Sequence, residues 1–177
     1  MKIETLFLES VIKRFQEYKA LGDKTFDQLS EADLRYRPNA ASNSIAVIVQ
    51  HLHGNMLSRW THFLTEDGEK EWRNRDKEFE EQPLSKGQLL NKWNEGWKVL
   101  LDALRSLKEE DLPKTVTIRT QPLTVIDAIN RQLAHYSYHV GQMVYLGRLT
   151  RPEEWQSLSI PKNASAQFNQ QMKNSKH

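Results

Sequence analysis

The chain has 177 residues, of which 38% are hydrophobic and 27% are charged, and this composition is typical of one globular domain rather than of a disordered or fibrous protein. Its 25 basic and 23 acidic residues are spread along the whole chain and give a formal charge of +2, so no basic stripe indicates a nucleic-acid partner. The absence of cysteine excludes disulfides, thiolate metal sites and a thiol nucleophile.

Neither end of the sequence nor its interior contains a long apolar run. No stretch approaches the roughly 18 apolar residues of a membrane-spanning helix. The N-terminal segment also lacks the apolar run of a secretory signal. We therefore expect a cytoplasmic protein with no membrane partner, in which any metal ligand is a histidine, an aspartate or a glutamate.

The first predicted element is an amphipathic helix over residues 5–29. Apolar residues recur there mostly three and four positions apart, which matches the period of a helix. Gly22 lies inside this helix and is a candidate break point, because glycine costs a helix about 1 kcal/mol relative to alanine. Residues 30–43 contain Pro38 and several small polar side chains, which predict a loop.

A second predicted helix follows this loop and continues to about residue 64. Either Ser42 or Ser44 is placed to cap its first turn. Residues 65–82 are turn-like at first and then densely charged, so we interpret them as a long ordered crossover. A third helix, which opens with a Ser-x-x-Gln capping box, is predicted over residues 85–107.

The last part of the chain contains one more strong helical pattern. Residues 115–120 alternate β-branched and polar side chains, which predicts a short extended segment. A fourth helix, with a threonine cap and an acidic residue in its first turn, is predicted over residues 124–149. Beyond Pro152 the periodicity fades, and residues 163–177 are polar enough to form a loosely held tail.

These elements predict an all-α fold, a four-helix bundle with a long crossover between the second and third helices. Residues 1–150 are assigned to the bundle, and residues 151–177 to a C-terminal extension that we expect to be loosely packed. Cofactor sites in such bundles are built from inward side chains on facing helices.

His135 and His139 are four residues apart on the predicted fourth helix. At this spacing two side chains lie about 5–6 Å apart on one face, close enough for two imidazoles to share a metal ion. The pair lies on one shoulder of the apolar stripe and points half toward the core. Histidines that only bond to backbone carbonyls show the same spacing by chance, so a third ligand is needed to indicate a metal site.

The second helix offers that third ligand. His51 and His53 lie on opposite shoulders of its apolar stripe, and periodicity does not choose between them. His62 is on the side of His51 but about 16 Å further along the axis, which excludes it. Tyr136 stands where zincins place a glutamate base, so a peptidase is not indicated. Three neutral imidazoles would leave open positions at which a metal activates water or a thiol.

Several of these residues belong to motifs that resemble the DinB/YfiT-like superfamily of metalloenzymes. The motifs are Ser44-Ile45-Ala46, Gln50-His51-Leu52, and His135 followed by His139-Val140-Gly141-Gln142. The resemblance extends over residues 6–149. It is greatest to a small, largely uncharacterised branch with further blocks at residues 54–60, 67–70 and 72–76.

The resemblance implies a four-helix bundle, often a homodimer, that holds a nickel, zinc or iron ion on three histidines. The first ligand of the family precedes a leucine in the second helix, which matches His51 rather than His53. The other two ligands match His135 and His139. Some relatives are S-transferases or isomerases that use a low-molecular-weight thiol such as bacillithiol, mycothiol or glutathione. No matched residue identifies the thiol or the electrophile.

Three polar side chains lie one turn from the candidate ligands. Asn55 follows His51, while Gln132 and Gln142 lie on either side of the histidine pair, so each can support a ligand or bind a substrate. Gln142 is our preferred candidate for supporting a ligand. Ordinary polar packing at the rim of a bundle is the alternative.

Three arginines around the predicted crossover can serve the same site. Arg59, Arg73 and Arg75 carry planar guanidinium groups suited to the carboxylates of an acidic thiol cofactor. The alternative is that they form salt bridges within a charged crossover.

The sequence thus predicts a metal-dependent enzyme with a small-molecule substrate and no nucleic-acid partner. A divalent ion on His51, His135 and His139 would activate a low-molecular-weight thiol or water for S-transferase or hydrolase chemistry. The alternative is a non-catalytic, stress-associated bundle that acts as a binding or scaffold protein. Imidazole ligands suit zinc, nickel, copper and iron, so the sequence does not identify the metal.

Overall fold

The computed structural model describes residues 2–174 and consists mainly of helices. In chain order these are α1 (Ile3–Asp27), α2 (Glu31–Leu34), α3 (Ile45–Trp60), α4 (Lys86–Ser106), α5 (Val125–Thr150) and α6 (Ser165–Asn174). The four long helices α1, α3, α4 and α5 form a bundle in which α3 packs against α4 and α5, and α1 packs against the same two helices. The predicted all-α bundle is confirmed.

Polar caps set the starts of the three later bundle helices. The Ser44 hydroxyl accepts the Val47 N–H at 3.2 Å, which decides between the two candidate serines. Ser85 forms the predicted capping box at the start of α4, and Thr124 caps α5. The end of α3 was predicted four residues too late. It ends at Trp60 because Thr61 is extended and the next residue is left-handed, with φ 51°.

Two features of the first third of the chain differ from the sequence prediction. Helix α1 continues through Gly22 without a break, and this glycine is buried against the indole ring of Trp93. The predicted loop contains the single turn α2, which is held by a reciprocal capping box between Ser30 and Asp33. Four residues are too few to show helical periodicity, so the sequence pattern did not reveal this turn.

Aromatic side chains fill the centre of the bundle. The ring of Phe15 lies 6.0–6.4 Å from the rings of Trp60, Trp97 and Tyr136. The Trp60 indole N–H donates to the Tyr136 hydroxyl at 3.1 Å, and that hydroxyl donates to the side-chain oxygen of Asn55 at 2.9 Å. This buried network fixes the relative position of α3 and α5, the two helices that carry the candidate metal ligands.

The two connections beside the bundle contain short regular elements. The predicted crossover between α3 and α4 contains a 3₁₀ turn at Asp76–Phe79. The predicted extended segment is the first strand of an antiparallel hairpin, with β1 at Thr115–Ile118 and β2 at Gln121–Thr124. The second strand was missed, because Pro122 and the small number of residues weaken its pattern.

The hairpin is held against the crossover by Asp67. Its two-residue turn, Arg119 and Thr120, has φ values of 54° and 63°, which non-glycine residues adopt only with strain. The Asp67 carboxylate accepts both of their backbone N–H groups at 2.8 Å, and that of Glu69 at 2.7 Å. Burial alone would raise the pKa of Asp67, but these donors lower it to about 2. Asp67 therefore fixes the position of Arg119.

The chain after α5 remains in contact with the bundle. Arg151 forms an ion pair with Asp33 at 2.7 Å, and Trp155 packs beside Gly147. Part of the predicted loose tail is the helix α6, none of whose residues is buried. Residues 175–177 of that tail lie outside the described part of the chain, and the domain boundary at residue 150 stays a prediction. No helix within residues 2–174 has the length and apolar character required to cross a bilayer.

Candidate metal centre

Three histidine side chains converge from the middle parts of two facing helices, α3 and α5. The Nε2 atom of His135 lies 3.2 Å from Nε2 of His51 on α3 and 3.1 Å from Nε2 of His139 on α5. His51 and His139 are buried, and His135 is half-buried. The i,i+4 spacing on α5 and the packing of α3 against α5 thus bring the predicted trio together.

The other predicted histidines of α3 are elsewhere. The Nε2 atom of His53 lies 2.8 Å from the Glu95 carboxylate, so its ring is directed at α4. His62 follows the end of α3 and is exposed. The structure therefore selects His51 as the member of α3 that faces α5.

The outer nitrogens of two rings face hydrogen-bond acceptors. The Nδ1–H group of His51 donates to the Glu78 carboxylate at 2.9 Å, and that of His139 donates to the Gln142 side-chain oxygen at 2.9 Å. A neutral imidazole with a proton on Nδ1 has a lone pair on Nε2. Both lone pairs therefore point at Nε2 of His135.

This arrangement fits a metal ion better than a hydrogen-bonded cluster. One N–H on His135 can serve only one of the two facing lone pairs, whereas one cation satisfies all three nitrogens. Two nitrogens bound at about 2.0–2.1 Å to one ion lie about 2.9–3.4 Å apart, depending on the bond angle. The observed 3.1 and 3.2 Å spacings fall within that range.

The environment of two of the three histidines, His135 and His139, keeps their rings uncharged. Burial, followed by the proximity of the other two histidines, lowers the pKa of His135 to about 3. Burial also lowers the pKa of His139 to about 4, against the opposing effect of its hydrogen bond with Gln142. Neutral imidazoles are the form that binds metal, so neither of these two rings has to lose a proton at neutral pH.

Glu78 is a part of the centre that the sequence did not reveal. It lies in the 3₁₀ turn of the crossover, and Arg73 holds its carboxylate through two hydrogen bonds of 2.8 and 2.9 Å. Burial would raise the pKa of Glu78, but the hydrogen bonds from His51 and Arg73 outweigh it and lower the pKa. A carboxylate on the outer nitrogen of a metal ligand orients the ring and increases its basicity.

A glycine in α3 leaves room for this carboxylate. A Cβ atom at Gly54 would lie 2.1 Å from Oε1 of Glu78 and 2.7 Å from its Cδ. The end of the flexible Glu78 side chain would therefore have to move away. Gly54 thus permits the contact between the crossover and His51.

We expect Gly54→Ala and Glu78→Gln to weaken metal binding by about 10–100-fold, the usual effect of losing a supporting partner. In the first variant the new methyl displaces the carboxylate, and in the second the charge is lost. Affinity is measured by competition with a chromophoric chelator. Gly141→Ala is the matched control, because its Cβ meets nothing within 4 Å. Unchanged affinity in folded Gly54→Ala protein would contradict the role of Glu78.

A cavity of about 240 Å³ opens beside the trio. It is lined by His51, Asn55, Arg59, Arg73, Arg75, Arg119, Arg131, Gln132 and His135. All three predicted arginines therefore lie at the site, but two of them serve the protein itself. Arg59 donates to the Gly68 carbonyl and to Glu69, and Arg73 holds Glu78.

The remaining lining residues differ in their availability. The guanidinium of Arg75 lies over the ring of Phe79, 4.9 Å from its centre. Asn55 uses its side-chain oxygen in the Tyr136 network. Arg119 and Arg131 also line the cavity, and neither is among the residues predicted from the sequence. Arg131 precedes His135 by one helical turn, a spacing that could have identified it, whereas Arg119 reaches the cavity only through the hairpin turn.

Comparisons with known proteins give a family and a fold. The sequence profile of the family described as "Protein of unknown function (DUF1572)" matches residues 2–164. A conserved protein from Enterococcus faecalis, known from its crystal structure, superposes with a TM-score of 0.59 and 17% identity. The match covers 86% of this chain and 99% of that one, and at this identity it concerns the fold alone. No curated protein matches the sequence.

Proposed function

The chain belongs to the DUF1572 family of proteins of unknown function, and from the chemistry of its own site we propose that it is a metal-dependent enzyme acting on a small molecule. The observation that carries this proposal is the convergence of three Nε2 atoms beside an open cavity. The bundle, the crossover and the histidine pattern support placing this family within the DinB/YfiT-like superfamily.

The reaction that suits the site best is activation of a low-molecular-weight thiol, or of water, for transfer or hydrolysis. A nickel, zinc or iron ion on the three histidines would supply the Lewis acidity that lowers the pKa of a bound thiol or water. Glu78 and Gln142 hold the rings of His51 and His139 in place. The lining arginines would bind and orient a substrate, and a homodimer in the cytoplasm remains part of this proposal.

The proposal is tested by a thiol-transfer assay with one metal at a time. Protein freed of metal by a chelator is reloaded with nickel(II), zinc(II) or iron(II) and mixed with glutathione and a chlorodinitrobenzene. The thiolate sulfur attacks the ring carbon, chloride leaves, and the thiol proton passes to solvent. We expect a rate above the uncatalysed reaction with at least one metal, and none above it in metal-free protein.

Hydrolysis is tested in parallel with a nitrophenyl ester. Metal-dependent acceleration of this reaction alone would assign the activated nucleophile as water. If metal-loaded protein accelerates neither reaction, the catalytic proposal fails. A non-catalytic binding or scaffold protein would then be the better description.

A further inference from the structure

The cavity beside the histidine trio has a strong excess of positive charge. Five of its lining residues are arginines, and no aspartate or glutamate is among the residues that line it. Glu69 and Glu78 lie behind this lining and each contact some of the arginines. Two carboxylates against five guanidinium groups leave the site electrostatically unbalanced, a condition that favours an anionic ligand.

Three of the five arginines have unused donors. Within residues 2–174, neither Arg75 nor Arg131 has a carboxylate within 4.0 Å. Arg119 uses only its Nε–H, which donates to Glu69 at 3.0 Å, and its side chain is 55% exposed. Since all five N–H groups of arginine seek acceptors, the unused ones can bind a carboxylate or a phosphate with two parallel hydrogen bonds.

A second, independent observation points to the same occupant. Gln132 is only 4% exposed. Its side-chain oxygen is buried and has no hydrogen-bond partner in the described part of the chain. Gln132 lines the cavity one helical turn before His135. Because buried polar atoms are almost always paired, this oxygen indicates a donor group on a bound molecule.

We infer that the cavity binds a small anionic molecule through Arg75, Arg119 and Arg131. The molecule carries a carboxylate or phosphate group, and an N–H or O–H group that reaches Gln132. His51 and His135 line the same cavity, so the rest of the ligand lies against the metal-binding histidines. This assignment deepens the proposed function by naming its substrate class. Arg59 and Arg73 are not assigned to anion binding, because each already bonds a carboxylate of the protein through two side-chain nitrogens.

The size of the site separates a small molecule from a polymer. About 240 Å³ lies below the usual volume of about 300–1,000 Å³ for drug-sized ligands. Nucleic-acid binding proteins typically carry a stripe of basic residues along one helix or face. Here the arginines instead converge on one concave space. A compact dianion therefore fits the cavity better than a phosphate backbone.

The test is calorimetric titration of the metal-free 177-residue chain with inorganic phosphate and with succinate at constant ionic strength. We expect binding of at least one of them, weakened about tenfold or more in Arg131→Gln and Arg75→Gln, the effect of losing a charge-assisted hydrogen bond. Arg148→Gln is the matched control on the same helix, and it should bind like the unmodified protein. The folding of every variant is checked by circular dichroism.

Comparison of the two anions identifies the anionic group of the ligand. Binding of phosphate alone supports a phosphorylated ligand, and binding of succinate alone supports a dicarboxylate. The assignment is overturned if neither anion binds, or if the affinity falls as much in Arg148→Gln as in the other two variants. Binding of duplex DNA in place of both anions would also overturn it. Because no metal is present, this result is independent of the metal and thiol-transfer measurements.

Discussion

Replacement of His139 by alanine is expected to abolish stoichiometric metal binding. The unmodified protein, purified without an affinity tag, should hold about one equivalent of nickel, zinc or iron(II), because the ligand nitrogens of the three histidines lie within 4.8 Å of one another. Loss of a supporting partner alone costs about 10–100-fold in affinity, so loss of a ligand should exceed about 100-fold. Elemental analysis by mass spectrometry measures the bound metal, and the same loss is expected for His51→Ala and His135→Ala.

His53→Ala is the matched control for this prediction. His53 lies on the same helix two residues from His51, but its ring pairs with Glu95 and does not face the trio. The variant should retain the metal. A thermal melt gives a second measurement, because a ligand that binds only the folded state raises the unfolding temperature, and a tighter ligand raises it further. Metal retained in His139→Ala, or lost in His53→Ala, would show that these histidines do not form the site.

The part of this centre that could be predicted is the part determined by one helix. The spacing of His135 and His139 on α5 follows from helical geometry alone. The choice between His51 and His53 depends on which shoulder of α3 faces α5, and this is a property of packing. The resemblance to a known family favoured His51, and in the structure the Nε2 atom of His51 lies 3.2 Å from that of His135.

The supporting residues could not be predicted because distant segments bring them to the site. Glu78 reaches His51 from a crossover with no helical periodicity, 27 residues further along the chain. Arg119 is placed by a strained hairpin turn that depends on Asp67, 52 residues earlier. Local patterns contain no information about such contacts. The starts of α3, α4 and α5 could be predicted because a capping side chain lies within a few residues of the N–H group that it binds. The end of α3 at Trp60 has no such local signal.

Gly22 shows the same limit for the core, and the largest effect on stability is expected there. A Cβ atom at this position would lie 2.2 Å from Cζ2 and 2.5 Å from Cη2 of Trp93. That indole is buried, donates to Asp23 at 2.7 Å and packs against Phe26 and Trp97. A shift of the indole would disturb these three contacts. Sequence rules treat Gly22 as a weak point in α1, but the structure requires it for close packing against α4.

Gly22→Ala should therefore lower the free energy of unfolding by about 1–2 kcal/mol. Overpacking a core costs about 1–3 kcal/mol or more, and the gain in helix propensity offsets only about 0.5–1 kcal/mol. Denaturant titration followed by circular dichroism measures the change. Gly141→Ala is the control, because this helical glycine has open space around its Cβ position. The free energy of unfolding of this variant should rise by about 0.5–1 kcal/mol, because alanine favours the helix over glycine.

A double-mutant cycle separates the clash from other effects of the new methyl group. Trp93→Phe removes the indole atoms that meet the methyl, and by itself it destabilises the protein through the cavity and the lost Asp23 hydrogen bond. If the clash is the cause, Gly22→Ala should cost much less in the Trp93→Phe background, with a coupling of about 1–3 kcal/mol. Additive effects would instead mean that the bundle accommodates the methyl by separating α1 from α4, and that Gly22 is not required for the packing of Trp93.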